Sequence, residues 1–118
     1  MKAGDIIRIP LPQSDGKIKP RPVLLLKKLP PFGDWLVCGI TSKVRHEVKD
    51  FDILISEQHA DFTNTNLPKS FLIRLGFIGR VQEEMIEGVI GNVSPVTYLQ
   101  LTDNLTRFLN DSINDLHE

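Results

Sequence analysis

The stretch Pro20-Arg21-Pro22-Val23-Leu24-Leu25-Leu26 decides the fold class of this chain. Its four consecutive apolar residues, Val23 to Leu26, are too hydrophobic for a surface strand and predict a strand that is buried on both faces. Pro22 disfavours helical backbone at the residue before it, so Arg21 is held in an extended conformation. The sequence therefore predicts a β-rich core with a guanidinium at the start of a buried strand.

The chain before this strand predicts a short strand and a turn. Asp5 to Ile9 is a β-rich run, which we expect to stop at Pro10 and Pro12 because proline cannot donate to a strand ladder. Residues 13–18 contain Ser-Asp-Gly, a composition typical of turns because Asp and Gly tolerate left-handed backbone.

Two later apolar runs complete the strand pattern. One extends from Trp35 to Thr41, and the other extends from Phe71 to Val81. Gly76 and Gly79 interrupt the second run, and glycines inside a strand indicate bulges or a tight barrel corner. Together with a candidate strand at residues 51–55, the pattern predicts five or six short strands that close a small barrel or a strongly bent sheet.

The C-terminal part of the chain changes from strand to helix periodicity. Ser94-Pro95 is typical of a helix start, with a capping hydroxyl followed by proline at the first helical position. We expect the helix to run from Pro95 to about Ser112. Its apolar face is formed by Tyr98, Leu101, Leu105, Phe108 and Leu109. The fold class is thus mainly β with a C-terminal helix.

Composition limits the protein class. The chain has 118 residues, 41% hydrophobic and 25% charged, which predicts one globular domain over residues 1–118. Cys38, the single cysteine, lies in an apolar run and is expected to be a small buried hydrophobe. The sequence shows no secretion signal and no run of membrane-spanning length, so we expect a cytoplasmic protein that does not insert into a membrane.

Charge is unevenly distributed although the formal net charge is only −1. Residues 1–50 carry ten Lys/Arg against five acids, and residues 51–118 carry four against ten, which gives +5 and −6. This polarity is compatible with an anionic ligand at one end of the molecule. Uneven solvation of two faces explains it equally well.

Known catalytic and metal-binding motifs are absent. His46, His59 and His117 share no metal-ligand spacing, and no phosphate-binding glycine loop or nucleophile elbow occurs. We therefore expect no cofactor and no metal. Glu83, Glu84 and Glu87 could form a carboxylate site, but such a cluster is more often a solvated turn.

Arg21 and the hydroxyl pair Thr41-Ser42 are the candidates for chemistry. They lie at the ends of two apolar runs that we expect to be neighbouring strands, and Lys17 and Lys19 precede Arg21. A guanidinium offers five donors in a planar fork and stays protonated, which suits an oxyanion or a phosphate. The alternative is ordinary structure, with a surface arginine and two strand-end hydroxyls that have no functional role.

The order of these motifs resembles that of the MazF/PemK family of toxins from bacterial type II toxin–antitoxin modules. The resemblance rests on Gly4-Asp5-Ile6-Ile7, on residues 20–26 and on Cys38-Gly39-Ile40-Thr41-Ser42. Residues 69–75 and Ile90-Gly91 extend it further along the chain. The family implies a small SH3-like barrel of five to seven strands with a C-terminal helix, of the MazF/PemK/CcdB-like class, that normally forms a homodimer.

The resemblance also implies an activity, a substrate and partners. Family members are metal-independent endoribonucleases that cleave single-stranded RNA and are neutralised by an antitoxin protein. In them the ribose 2′-hydroxyl attacks phosphorus, which gives a 2′,3′-cyclic phosphate and a 5′-hydroxyl. By motif position Arg21 is the main catalytic residue and Thr41 its partner. Lys19, Ser42 and Lys43, which flank these two, are expected to contact the substrate.

The late strand departs from the family pattern. Members often carry a Gln there, followed by a basic and a hydroxyl residue, whereas Phe77, Gly79 and Arg80 occupy these positions here. Some members use an acid in the loop before the Arg-Pro strand, and Asp15 is the acid in that loop of this chain. A non-catalytic binding module, or a toxin that poisons another enzyme from the same barrel, is therefore the alternative function.

Overall fold

A computed structural model describes residues 1–116, so the prediction for His117 lies outside the described residues. The strands are β1 (Asp5–Pro12), β2 (Ile18–Leu29), β3 (Asp34–Thr41), β4 (Ile53–Ile55), β5 (Phe71–Val81) and β6 (Gly88–Asn92). The helices are α1 (Phe62–Thr65) and α2 (Pro95–Asp115). Single 3₁₀ turns occur at Val44–His46 and Glu83–Met85.

The six strands form one antiparallel sheet in the order β4-β5-β3-β2-β1-β6. The sheet curls into a half-barrel, and α2 follows it at the C-terminal end. This architecture confirms the predicted mainly β fold with a C-terminal helix, including the expected number of strands.

Both faces of the sheet are buried around the decisive stretch. Val23 and Leu25 belong to one apolar cluster, together with Trp35 and Val37. Leu24 and Leu26 belong to the cluster on the opposite face, which also receives Leu101 of α2. Side chains of a strand alternate between faces, so a continuous apolar run is required where both faces are covered. The predicted two-sided burial of Val23 to Leu26 is confirmed, with at most 4% of each residue exposed.

β1 continues past the point where we expected it to stop. The prediction that Pro10 and Pro12 end the strand is wrong, because both pair with β2, through Pro20 and Ile18. On its other side β1 pairs with β6 only as far as Arg8. The missing N–H groups of the two prolines therefore fall where β1 is an edge strand, the position in a sheet that tolerates proline.

A bulge in β5 occurs where the glycine pattern predicted one. Cys38 pairs with Ile78, but the next residue of β3, Gly39, pairs with Arg74. Three residues of β5, 75–77, are thus inserted without partners opposite β3. Such a bulge bends its strand and changes the direction of a side chain. Here it brings Phe77 next to Gly39.

Helix α2 starts as predicted and ends three residues later than predicted. The Ser94 hydroxyl accepts a hydrogen bond from the Thr97 N–H at 3.3 Å, which confirms the N-cap. Tyr98 and Leu105 pack on the core. The predicted apolar face does not extend to Phe108 and Leu109, which are more than half exposed; Phe108 lies against Phe51, with ring centroids 4.6 Å apart. Among the described residues, no helix combines the length and the apolarity needed to cross a membrane.

Candidate functional site

Arg21 and Thr41 belong to the neighbouring strands β2 and β3, and both line the same two cavities. Val23 of β2 pairs with Gly39 of β3, and Arg21 and Thr41 each lie two residues beyond this pair. β2–β3 pairing stops at Val23, and both side chains therefore flank an opening in the sheet rather than a closed ladder. Thr41 is the last residue of β3, as expected, but the prediction that Arg21 starts its strand is wrong, because β2 begins at Ile18 and Arg21 is its fourth residue.

Two cavities meet at this opening. Cavity A, of about 400 Å³, lies on the side of Gln13, Arg74 and Phe77. Cavity B, of about 320 Å³, lies on the side of Arg8, Ser42 and Lys69. The two cavities share Arg21, Pro22, Ile40, Thr41 and Lys43 in their linings. An extended, chain-like ligand could therefore occupy both cavities at once. It would then run past Arg21 and Thr41, which lie where the two cavities meet.

The charge of the two linings is strongly positive. Arg8, Arg21, Lys43, Lys69 and Arg74 contribute cations, and no Asp or Glu of residues 1–116 lines either cavity. The five cations are clustered here although the formal net charge of the whole chain is −1. Clustered cations without nearby acids raise the local concentration of anions and bind phosphate groups.

Arg21 is oriented by an uncharged neighbour. Its Nη2 donates a hydrogen bond to Oε1 of Gln13, eight residues earlier, and no carboxylate of residues 1–116 forms a salt bridge with it. The amide oxygen of Gln13 can fix the plane of the guanidinium without neutralising its charge. The full positive charge of Arg21 therefore remains available to an anionic ligand.

Thr41 has a proton to offer to a ligand. Its Oγ1 accepts a hydrogen bond from the backbone N–H of Lys43 at 3.2 Å. A hydroxyl accepts at its lone pairs and donates through its single O–H, so this contact fixes the oxygen and leaves the proton for another acceptor. The arrangement suits donation to an oxygen of a phosphate bound beside Arg21.

The structure brings together most of the predicted site residues. Arg21, Thr41 and Lys43 line both cavities, and Ser42 lines cavity B. Lys19 lies two residues before Arg21 on β2 but, within the described part of the chain, belongs to neither lining.

Sequence reasoning missed three residues of cavity A, Gln13, His46 and Arg74, and it named Phe77 only as the residue at the position where the family often carries a Gln. Gln13 lies in a turn, and its contact with Arg21 follows from the β1–β2 hairpin, which no local pattern specifies. Arg74 reaches the site through its pairing with Gly39. Gly76 was the sequence signal that could have pointed to Arg74 and Phe77, because the bulge predicted there changes which residues of β5 face β3.

The other candidates for chemistry are structural. Cys38 is fully buried, and burial, followed by the charge of Asp52, raises the pKa of its thiol to about 12, which confirms a buried hydrophobe. Glu83 lies in a 3₁₀ turn, where its Oε1 accepts from Trp35 Nε1 at 3.5 Å and lies 3.9 Å from Lys28 Nζ.

A third cavity, of about 550 Å³, is larger but electrically balanced. Its lining contains one cation, Arg80, and one acid, Asp34. Arg80 Nε donates to Asp34 Oδ2 at 2.7 Å, so the two charges satisfy each other. Cavities A and B are therefore the candidate functional site, since no acid within residues 1–116 forms a salt bridge with their cations.

The model of the PemK-like, MazF-like toxins of type II toxin–antitoxin systems matches residues 2–109. The chain belongs to this family. A search of curated proteins finds no match. As a PemK/MazF-like toxin it has a cognate antitoxin as its partner. The family match spans all six strands and most of α2, so cavities A and B lie within the matched region.

Proposed function

We propose that this PemK/MazF-like toxin is a metal-independent endoribonuclease that cleaves single-stranded RNA. The observation that carries the proposal is the junction of cavities A and B. There an arginine without a carboxylate partner and a threonine hydroxyl face the same opening, among five cations and no acids of the described residues. A polyanionic strand that passes this opening would bring one phosphate between Arg21 and Thr41.

In the proposed reaction the RNA supplies its own nucleophile. The ribose 2′-oxygen forms a bond to the adjacent phosphorus and gives its proton to solvent water, while the bond from phosphorus to the 5′-oxygen breaks and that oxygen takes a proton from water and leaves as a hydroxyl. The products are a 2′,3′-cyclic phosphate and a 5′-hydroxyl. Negative charge grows on the non-bridging oxygens in the transition state, which is the charge that the site must stabilise.

Arg21 and Thr41 act on this growing charge. Arg21 stabilises it electrostatically and does not transfer a proton, because the pKa of a guanidinium lies above about 12. Thr41 donates a hydrogen bond to the same centre. Both groups are oriented before the substrate arrives, Arg21 by Gln13 and Thr41 by the Lys43 N–H. Donors held in place in advance need no reorganisation during the reaction.

Neighbouring residues bind the flanking nucleotides. Lys43, in both linings, contacts the phosphate at the centre of the path, and Ser42 contacts the strand in cavity B. Lys19 lies further along β2 and attracts a phosphate outside the cavities. Phosphate contacts of this kind set affinity and register rather than sequence preference.

We further propose that the toxin acts in the cytoplasm as a homodimer whose antitoxin folds on binding. The support is an exposed apolar side of α2, where Val96, Leu99, Leu109 and Ile113 are each more than half exposed. Apolar side chains exposed in this number on one element are typical of protein contacts. An antitoxin segment that orders on this surface could bury them.

End-group analysis tests the chemistry directly. Purified protein incubated with a mixed-sequence RNA should release fragments with 5′-hydroxyl and 2′,3′-cyclic phosphate ends, at the same rate with and without a chelator. Fragments with 5′-phosphate ends, or cleavage abolished by the chelator, would contradict the mechanism. Tight RNA binding without any product would instead support the alternative, a non-catalytic binding module.

A further inference from the structure

We propose that Phe77 is a stacking platform for one nucleobase next to the phosphate held by Arg21 and Thr41. This inference rests on the proposed function, since it concerns the same RNA strand. It adds a determinant of substrate position, an aromatic ring that stands beside the cations of cavity A.

The ring is placed by two features of the neighbouring strands. The bulge at residues 75–77 of β5 frees Phe77 from pairing with β3. Gly39 then makes room, because a Cβ at that position would lie 2.9 Å from Cδ1 and 3.0 Å from Cγ of the phenyl ring. Phe77 thus occupies the space where any other residue at position 39 would project its side chain.

The ring is supported on one side and accessible elsewhere. It contacts the backbone at Gly39, yet 45% of the residue is exposed and it belongs to neither apolar cluster. A phenylalanine in this position gains little from burial. Its exposed surface lies in the lining of cavity A, where a ligand can reach it.

The surroundings of Phe77 favour a nucleobase as the ligand. Arg21, Lys43 and Arg74 line the same cavity and attract phosphates, while an aromatic ring offers a surface on which a base can stack. A cationic groove with an exposed aromatic side chain is the combination that binds single-stranded nucleic acids. Because every base has a π face, such a platform adds affinity without demanding one particular base.

Binding of an RNA that cannot be cleaved tests the proposal. The probe is a fluorescent, mixed-sequence ten-nucleotide RNA with 2′-O-methyl groups, titrated at several salt concentrations. We expect Phe77→Ala to weaken binding by about 5- to 150-fold, the effect of losing one base–aromatic stack. Phe77→Trp should bind at least as tightly as the wild type. The salt dependence should stay the same in both variants, because no phosphate contact is lost.

Ile78→Ala is the matched control. Ile78 is adjacent to Phe77 on β5 and similarly exposed, at 42%, but it does not line cavity A. We expect Ile78→Ala to bind the probe like the wild type. Equal losses in the two alanine variants would overturn the proposal, as would a Phe77→Ala protein that binds normally. A shift of Phe77→Ala from dimer to monomer in sedimentation would also overturn it, by making Phe77 a contact between copies.

Abasic substitution identifies the stacked base. One base at a time is removed from the probe, and the affinity of each protein for each probe is measured. Loss of the base at one position should strongly weaken binding to the wild type, and loss of the same base should not change binding to Phe77→Ala. Such non-additivity shows that the ring and that base interact. Additive losses at every position would contradict stacking.

Cleavage assays keep the two proposals separate. If the wild type cleaves RNA and Phe77→Ala binds the probe as tightly as the wild type, the stacking proposal is wrong and the nuclease proposal stands. If Phe77→Ala weakens binding but the wild type never cleaves RNA, the nuclease proposal is wrong and the stacking proposal stands.

Discussion

Arg21 depends on a neutral partner for its orientation. The hydrogen bond to Gln13 Oε1 fixes the guanidinium plane while the cation keeps its charge for the ligand. A carboxylate in the same place would hold Arg21 more strongly but would also neutralise it. The choice of glutamine therefore serves electrostatic stabilisation of a phosphate better than an ion pair would.

We expect Gln13→Ala to lower kcat for RNA cleavage by roughly 10- to 100-fold while KM changes little, because small misplacements of a catalytic group reduce rate more than binding. Steady-state cleavage of a fluorogenic RNA measures both constants. Gln82→Ala, which removes a glutamine outside cavities A and B, is the control. An increase in KM at constant kcat would assign Gln13 to substrate binding instead.

Sequence could identify Arg21, Thr41 and Lys43 because each lies next to one end of an apolar run, a position that local pattern reveals. It could not identify Gln13, and it named Phe77 only as the residue where the family often carries a Gln, with no role in the site. Their places in the site depend on which strands pair and on a three-residue shift in register, both properties of the assembled sheet.

At the scale of secondary-structure elements, the apolar runs were enough to predict where the strands lie, but they were not enough to predict where the strands end. Prolines ended β1 too early in our prediction because proline is excluded only where both sides of a strand are paired. The predicted apolar face of α2 was right for its first half: Tyr98 and Leu101 contact the core, but Leu109 is 59% exposed.

The contact between α1 and β6 requires glycine. A Cβ at Gly91 would lie 2.3 Å from the Thr65 carbonyl oxygen, a backbone atom that cannot rotate away. We expect Gly91→Ala to lower the free energy of unfolding by about 1–3 kcal/mol or more, as overpacking does. Gly79→Ala is the control, since a Cβ there meets nothing within 4 Å. Equal midpoints of the two variants in urea would contradict this account.

Asp61 joins α1 to the start of α2. Its Oδ2 accepts hydrogen bonds from the Ser94 N–H at 2.9 Å and the Ser94 hydroxyl at 3.0 Å. Burial raises the pKa of Asp61, but hydrogen bonds from Thr97 and Ser94, together with the nearby His59, hold that pKa below its ordinary value. The ionised form therefore stabilises the fold above the unfolded-state pKa of about 3.9, and this contribution is lost as pH falls through the lower folded-state pKa.

We expect Asp61→Asn to lower the free energy of unfolding by about 1–3 kcal/mol near pH 7, the value of charge-assisted hydrogen bonds. The difference from wild type should shrink below about pH 4, where the carboxylate becomes protonated in the unfolded state, and should be lost as pH falls through the lower folded-state pKa of Asp61. Urea unfolding across this pH range measures both effects. A difference that stays constant down to about pH 3 would show that ionisation of Asp61 contributes nothing.

At the scale of the whole molecule, the arrangement of charge matters more than its sum. Three of the five cavity cations, Arg8, Arg21 and Lys43, come from the basic first half of the chain, and Lys69 and Arg74 come from the acidic second half. The sequence predicted the polarity, but only the folded sheet could gather cations from both halves around one opening. A formal net charge of −1 conceals this surface.

The central claim is that Arg21 stabilises the transition state of RNA cleavage, and a single-turnover rate measures it most directly. We expect Arg21→Ala to slow cleavage by at least about 10²–10³-fold, the cost of losing one such stabilising group. Arg107→Ala removes the same charge on α2, outside cavities A and B, and should cleave at the wild-type rate. An Arg21→Ala protein that cleaves RNA as fast as Arg107→Ala would contradict the account.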